Sequence, residues 1–188
     1  MKTIGIIGGM GPMATVDLMQ KVILATDAQE DQEHIHILVD NNTNIPDRTA
    51  AIMGQGANPV PEMQKSADRL TAAGADFLII GCNTAHYFLP QLTPNLKIPV
   101  ISMIEATADF CAAQGYKKVG LLASAGTCHA GIYQQALQKA GVEVLQPNET
   151  QEPVIHDMIY RGVKANDTNY DTKPVQKVLQ AMEQAGAE

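Results

Sequence analysis

The residues best suited to chemistry in this chain sit where apolar runs end. Cys82 follows Phe77-Leu78-Ile79-Ile80-Gly81 and precedes Asn83-Thr84-Ala85-His86. An apolar run, a glycine and a thiol describe a buried strand that delivers a cysteine at a turn. A free thiol has a pKa of about 8.5, and a helix starting beside it lowers that value. Cys82 then reads as a nucleophile or a proton-transfer base, with Asn83 and Thr84 as amide and hydroxyl partners. The alternative is a small buried hydrophobe, a common role for free cysteine. His86, one helical turn on, either tunes the thiol or is a satisfied helix histidine. Cys111 lies mid-helix beside Phe110 and reads as packing. Cys128 follows Gly126-Thr127 and could line a cleft, but nothing near it in sequence would activate it.

Anion-binding candidates come next. Gly8–Thr15 reads GGMGPMAT, with G-x-G-x-x-A between an apolar run and a helical pattern. With Asp40 at the end of the following strand, this is compatible with a dinucleotide fingerprint and a nicotinamide-dependent oxidoreductase. A loop that merely brings backbone amides to a small anion explains the residues equally well. Asn42–Thr49, NTNIPDRT, holds a single arginine. Arg48 is either a bidentate carboxylate clamp or half of a surface ion pair with Asp47. Lys164, in YRGVKAND, is a possible second cation or a solvated lysine.

Positioning these groups takes strands that alternate with helices. Lys2–Gly8, His34–Asp40, Phe77–Ile80 and Ile98–Ile101 read as strands. Helices are expected over Ala14–Ala28, with Val16, Met19 and Ile23 as its apolar stripe, and over Pro59–Ala73, with Met63, Ala67 and Leu70 on one face. A further helix starts at Thr84 and is broken by Pro90 and Pro94. The alternation demands a parallel sheet with helices on both faces.

The pattern then repeats. Lys117–Leu122 lies over Lys2–Ile7, with Gly120 matching Gly5, an offset of 115. Near the end, AMEQAGAE lies over LTAAGAD, with Gly186 matching Gly74, an offset of 112. Helices over Glu105–Gln114, Val154–Val163 and Pro174–Ala185, and a strand over Val142–Leu145, complete the second copy. The expectation is two similar α/β halves, 1–101 and 102–188, each three-layered with a mainly parallel sheet and with the active site in the cleft between them. On this reading the second half lacks its last strand, and the counterpart of Cys82 falls roughly six residues past Glu188. Gly126-Thr127 would pair with Asn83-Thr84 if the halves face each other, with hydroxyls and amides around one carboxylate.

Composition narrows the class. The chain has 188 residues, 45% apolar and 18% charged, with net charge −7. No basic stripe exists to displace counterions, which argues against a nucleic-acid partner. No apolar run approaches a membrane span, and no signal peptide is expected. Three cysteines with no C-x-x-C pair argue against a disulfide framework or a zinc ribbon, so no metal and a reducing cytoplasm are expected.

GGMGPMAT, NNTNIPDRT, GADFLIIGCNTAH, ISMIEA and LLASAGT, in this order, resemble the pyridoxal-phosphate-independent aspartate/glutamate racemases, and most nearly the aspartate racemases among them. The resemblance implies a cofactor-free reaction on an acidic amino acid. Two thiols flank the substrate, and each acts in turn as thiolate base and thiol acid. Cys82 is then one of the pair. The resemblance assigns Asn83, Thr84 and Thr127 to the α-carboxylate, Arg48 and Lys164 to the side-chain carboxylate, and Met10 to the substrate pocket. It also implies a homodimer.

The sequence departs from the family in one respect: the GCTE-type motif carrying the second cysteine is absent. Cys128 does not replace it, because it sits in the loop that repeats the first glycine loop. The expectation is that these residues are part of a longer protein and that the part given would bind substrate without racemising it. Other readings are a dicarboxylate-binding protein, a one-cysteine decarboxylase or isomerase of the same superfamily, and the oxidoreductase above.

Overall fold

The computed structural model describes residues 2–188. They form two compact units, which divide between Met103 and Ile104.

The first unit is built on a parallel sheet of order β2-β1-β3, with β1 Ile4–Gly8, β2 Ile37–Asn41 and β3 Phe77–Ile80. Ile4 pairs with Ile37 on one side and Phe77 on the other. All five residues of β1 are buried, as a run without polar alternation requires of a central strand. Helix α1, Pro12–Ala25, opens with proline in its first turn, where no N–H is needed. Its inward residue is Thr15, while Val16, Met19 and Ile23 are exposed. The expected apolar stripe therefore does not face the core. Around Thr15 the inner side of α1 lies close to the end of β1: a Cβ on Gly8 would lie 2.3 Å from the Thr15 methyl.

Helices α2, Arg48–Ile52, and α3, Val60–Ala72, follow β2. Met63, Ala67 and Leu70 of α3 are buried against Ile7, Leu78 and Ile80, as their spacing predicts. Large side chains such as Met63 and Leu70 each contribute roughly 1.5–3 kcal/mol when fully buried. Gly74 ends this helix at φ +99°, a conformation that strains any other residue.

Two expected elements change form. The helix after Cys82 is a 3-10 turn, Thr84–Phe88, followed by the short α4, Leu89–Leu92. Pro90 sits in the first turn of α4, so it starts a helix rather than breaking one. The strand expected over Ile98–Ile101 is a single parallel bridge, Val100 to Leu78. Leu78 N–H donates to Pro99 O at 2.8 Å, and Ile101 N–H donates to Leu78 O at 2.9 Å. Pro99 has no N–H with which to extend the ladder.

The second unit begins with α5, Met103–Gln114, whose first residue belongs to the first unit. Its sheet pairs β4, Lys118–Gly120, with β5, Glu143–Leu145, in parallel. Helices α6, Ala125–Ala130, and α7, Ile132–Lys139, lie between them, and Tyr133 and Leu137 of α7 are buried. The helix expected over Val154–Val163 is α8, Glu152–Asp157, running into a π-helical turn, Met158–Val163. Helix α9, Lys173–Gln184, packs Val175, Val178 and Met182 with Ile155 into this unit's core.

The internal repeat is visible in hydrogen bonds. In the first unit Asp76 N–H donates to Thr3 O at 2.9 Å, and Thr3 N–H donates to Asp76 Oδ2 at 2.6 Å. In the second, Glu188 N–H donates to Lys118 O at 2.9 Å, and Lys117 N–H donates to Glu188 Oε2 at 2.6 Å. In each unit an acidic residue clasps the start of the first strand, β1 in one and β4 in the other. Among the described residues, no helix is long and apolar enough to cross a membrane, and no group of three metal-ligating side chains comes together.

Candidate active site

In a parallel sheet the loops that leave the carboxyl ends of the strands share one edge. In the first unit these are the glycine loop after β1, the polar loop after β2 and the Cys82 turn after β3. The first two are locked together. Gly9 has φ +90°, and a Cβ there would lie 2.3 Å from the Asn42 carbonyl carbon. Only glycine permits that approach. Thr15 holds the loop from α1: its hydroxyl accepts from Gly9 N–H at 3.0 Å and donates to Gly11 O at 3.1 Å. Asn42 ties the second loop to α3, donating from Nδ2 to Ser66 Oγ at 3.1 Å. Its Oδ1 accepts from Asn44 N–H at 3.0 Å.

Arg48 joins both loops. It is the first residue of α2, placed by Asp47, whose carboxylate caps the helix by accepting from Ala50 N–H at 2.8 Å. The Arg48 side chain is 8% exposed, so it is buried rather than on the surface. Nη1 donates to Ile45 O at 3.2 Å and Pro46 O at 2.9 Å, and Nη2 donates to Met10 O at 3.2 Å. Its buried Nε has no hydrogen-bond partner. Carbonyl dipoles orient a guanidinium but do not cancel its charge. A buried cation held this way remains suited to a carboxylate. Met10 enters the site through its backbone carbonyl, and its side chain is buried in the core.

Cys82 is a free, partly buried thiol packed against the core of the first unit. Thr84 beside it is buried at 8% exposure. The turn after Cys82 packs against α2, which brings the Cys82 segment to the Arg48 helix. His86 is buried, and its ring is bonded to backbone: Nδ1 to Cys82 O at 2.9 Å, and Nε2 to Met103 N at 3.2 Å. Of the two roles open to it, the satisfied histidine is the one its partners describe.

The features behind a dinucleotide reading are engaged elsewhere. Asp40 pairs with Arg69 of α3 at 3.0 Å, and Gly9 N–H is taken by the Thr15 hydroxyl.

In the second unit, Thr127 is buried in α6 and faces the helix cap, with Ser124 Oγ at 3.1 Å from its hydroxyl. Lys164 places its ammonium 4.0 Å above the Tyr160 ring, which stacks on His156. A cation over an aromatic face is held rather than merely solvated. Cys128 lines a cavity of about 350 Å³ with Glu152 and His156. Burial pushes its thiol pKa up, and the nearby Glu152 charge adds to the rise. A thiol whose pKa is raised gives up its proton less readily, in keeping with the sequence, which offers it no activating neighbour.

Sequence reasoning gave no role to Thr15 or Asn42, although both lie inside motifs it singled out. A hydroxyl one turn into the helix after a glycine loop is the signal that could have revealed Thr15.

Known proteins resemble this chain in sequence and in fold. The family described as Asp/Glu/Hydantoin racemase matches residues 7–188. The broad specificity amino-acid racemase RacX of Bacillus subtilis (strain 168) is 29% identical over 161 residues, covering 80% of this chain and 67% of that protein. The glutamate racemase of Aquifex aeolicus is 34% identical over 83 residues, 43% of this chain and 33% of that enzyme. The chain thus matches about a third of that relative's length. Among solved structures, Picrophilus torridus aspartate racemase superposes with TM-score 0.89 at 32% identity, covering 98% of this chain and 77% of the other. A putative Asp/Glu racemase from Yersinia pestis, at 24% identity and TM-score 0.81, covers 100% of this chain and 83% of its own, and shows the shared α/β fold. With a family match running from β1 to the last described residue, the chain belongs to the Asp/Glu/Hydantoin racemase family.

Proposed function

We propose that the protein is an amino acid racemase that works without cofactor or metal on a dicarboxylic amino acid, aspartate before glutamate, with Cys82 as one of two acid–base groups. The observation that carries this reading is the buried Arg48 guanidinium, held by backbone carbonyls on the strand edge that also presents Cys82. A buried cation on the same strand edge as a thiol suits a substrate with a carboxylate to bind and a proton to lose.

The chemistry is dictated by the acidity of Cα–H, which is very weak. Thiolate sulfur takes the α-proton from one face while the bonding pair moves toward the α-carboxylate. A thiol on the opposite face returns a proton to carbon. One proton leaves and one arrives, so the reaction is redox-neutral and needs no co-reactant. In this proposal Asn83, Thr84 and Thr127 bind the α-carboxylate, and Arg48 and Lys164 bind the side-chain carboxylate. Aspartate, the shorter acid, is preferred on the similarity to Picrophilus torridus aspartate racemase. The second acid–base group is not assigned to Cys128, which sits in the loop that repeats the first glycine loop rather than after a strand that repeats β3. Assembly as a homodimer and a reducing cytoplasm belong to the same proposal.

The test is exchange at Cα. In heavy water the intact protein should incorporate deuterium at Cα of aspartate, and Cys82→Ala should abolish it. Undiminished exchange in that variant removes Cys82 from the mechanism. Tight dicarboxylate binding with no exchange by the wild type would leave a binding protein instead.

A further inference from the structure

We propose that His86 is a positioning residue for the Cys82 turn, acting as a neutral strut that ties the Cys82 backbone to the start of α5. This rests on the reading of Cys82 as an acid–base group. The partners of the ring determine its protonation. Cys82 O, 2.9 Å from Nδ1, can only accept, so Nδ1 carries the hydrogen. Met103 N–H, 3.2 Å from Nε2, can only donate, so Nε2 is bare. The other neutral tautomer would lose both bonds, and the imidazolium would set an N–H against the Met103 N–H.

The strut acts on a turn that lies beyond the end of the sheet ladder. β3 ends at Ile80, and the last bond tying this segment to β1 is a long one, Gly81 N–H to Ile7 O at 3.4 Å. From Thr84 the chain enters a 3-10 turn, whose hydrogen-bond geometry is poorer than that of an α-helix. The His86 ring therefore adds a side-chain bond that fixes the plane of the Cys82 peptide. The other end of the strut reaches the first N–H of α5, one of the donors that a helix leaves without an internal partner. Met103 is the last residue of the first unit, so His86 joins the thiol-bearing turn to the segment that leads into the second.

Two measurements on the full-length protein test the proposal. The nitrogen-15 NMR spectrum at neutral pH should show His86 protonated at Nδ1 and bare at Nε2; an Nε2–H tautomer or an imidazolium overturns it. In Cα exchange with aspartate, His86→Ala should lower kcat on the order of 100-fold while KM stays within about twofold, the pattern of a misplaced reacting group. His86→Asn keeps a donor that reaches Cys82 O, so it should recover roughly tenfold of that loss. Folded variants with wild-type kcat overturn the proposal. If the wild type itself shows no exchange, the racemase reading falls, and the alkylation rate of Cys82 by iodoacetamide decides the role of His86. That rate should rise about threefold or more in His86→Ala as the turn loosens, and an unchanged rate counts against the strut.

Discussion

At the scale of single residues, Arg48 shows how a charge is made available. Its three bonds to carbonyls fix the plane of the guanidinium without neutralising it. Lysine carries the same charge as a compact ammonium with no planar fork, so it cannot span these carbonyls and still face a substrate. Arg48→Lys should raise KM for aspartate roughly tenfold or more with a smaller effect on kcat, as expected when a ground-state contact is lost. Steady-state kinetics on the folded variant would show it, and an unchanged KM would place the substrate carboxylate elsewhere. Cys82 was legible in sequence because an apolar run and a glycine announce a strand and a turn. The partners of Arg48 and His86 were not, because backbone carbonyls and amides look alike at every position until the chain is folded. The same limit left the ion pair with Asp47 open for Arg48, whose burial becomes apparent only in three dimensions.

At the scale of elements, the site depends on how closely two loops approach. Gly9 lies against the Asn42 carbonyl at φ +90°, and Thr15 bridges Gly9 and Gly11. Gly9→Ala adds a methyl where the backbone of Asn42 already stands, in a conformation that alanine avoids. It should cost about 2 kcal/mol or more of stability, measured by urea unfolding. Because the displaced loop supplies the Met10 carbonyl to Arg48, aspartate binding should weaken as well. Unchanged stability would mean that the loops tolerate separation. The periodicity of α3 predicted its buried face correctly because that helix packs against a continuous apolar sheet. The stripe of α1 misled because the helix turns Thr15, Leu18 and Val22 inward, Thr15 against the glycines of the first loop, and leaves Val16, Met19 and Ile23 on its outer side. Pro90 was misread because a proline looks the same in sequence whether it stops one helix or starts the next.

At the scale of the whole molecule, charge and repeat set the terms. A protein of net charge −7 repels an anionic substrate at long range, so attraction has to come from local cations such as the buried Arg48. Salt screens the distant repulsion more than the buried contact. kcat/KM for aspartate should therefore rise modestly, up to about twofold, between low and physiological ionic strength. A steep fall would point to exposed cations as the main source of binding. The repeat was legible because its two offsets, 115 and 112, nearly agree, and the matching Asp76 and Glu188 bonds give it a physical basis. Those bonds have a consequence for accuracy. Parallel strands can in principle zip together one residue out of step, and such an error shifts everything downstream by about 3.3 Å and turns it to the opposite face. Asp76 closes its clasp on Thr3 just before β3 begins, six residues ahead of Cys82. A surface carboxylate far from any substrate thus works as an alignment pin, and the thiol arrives on the correct face because the strand was set in step at its other end.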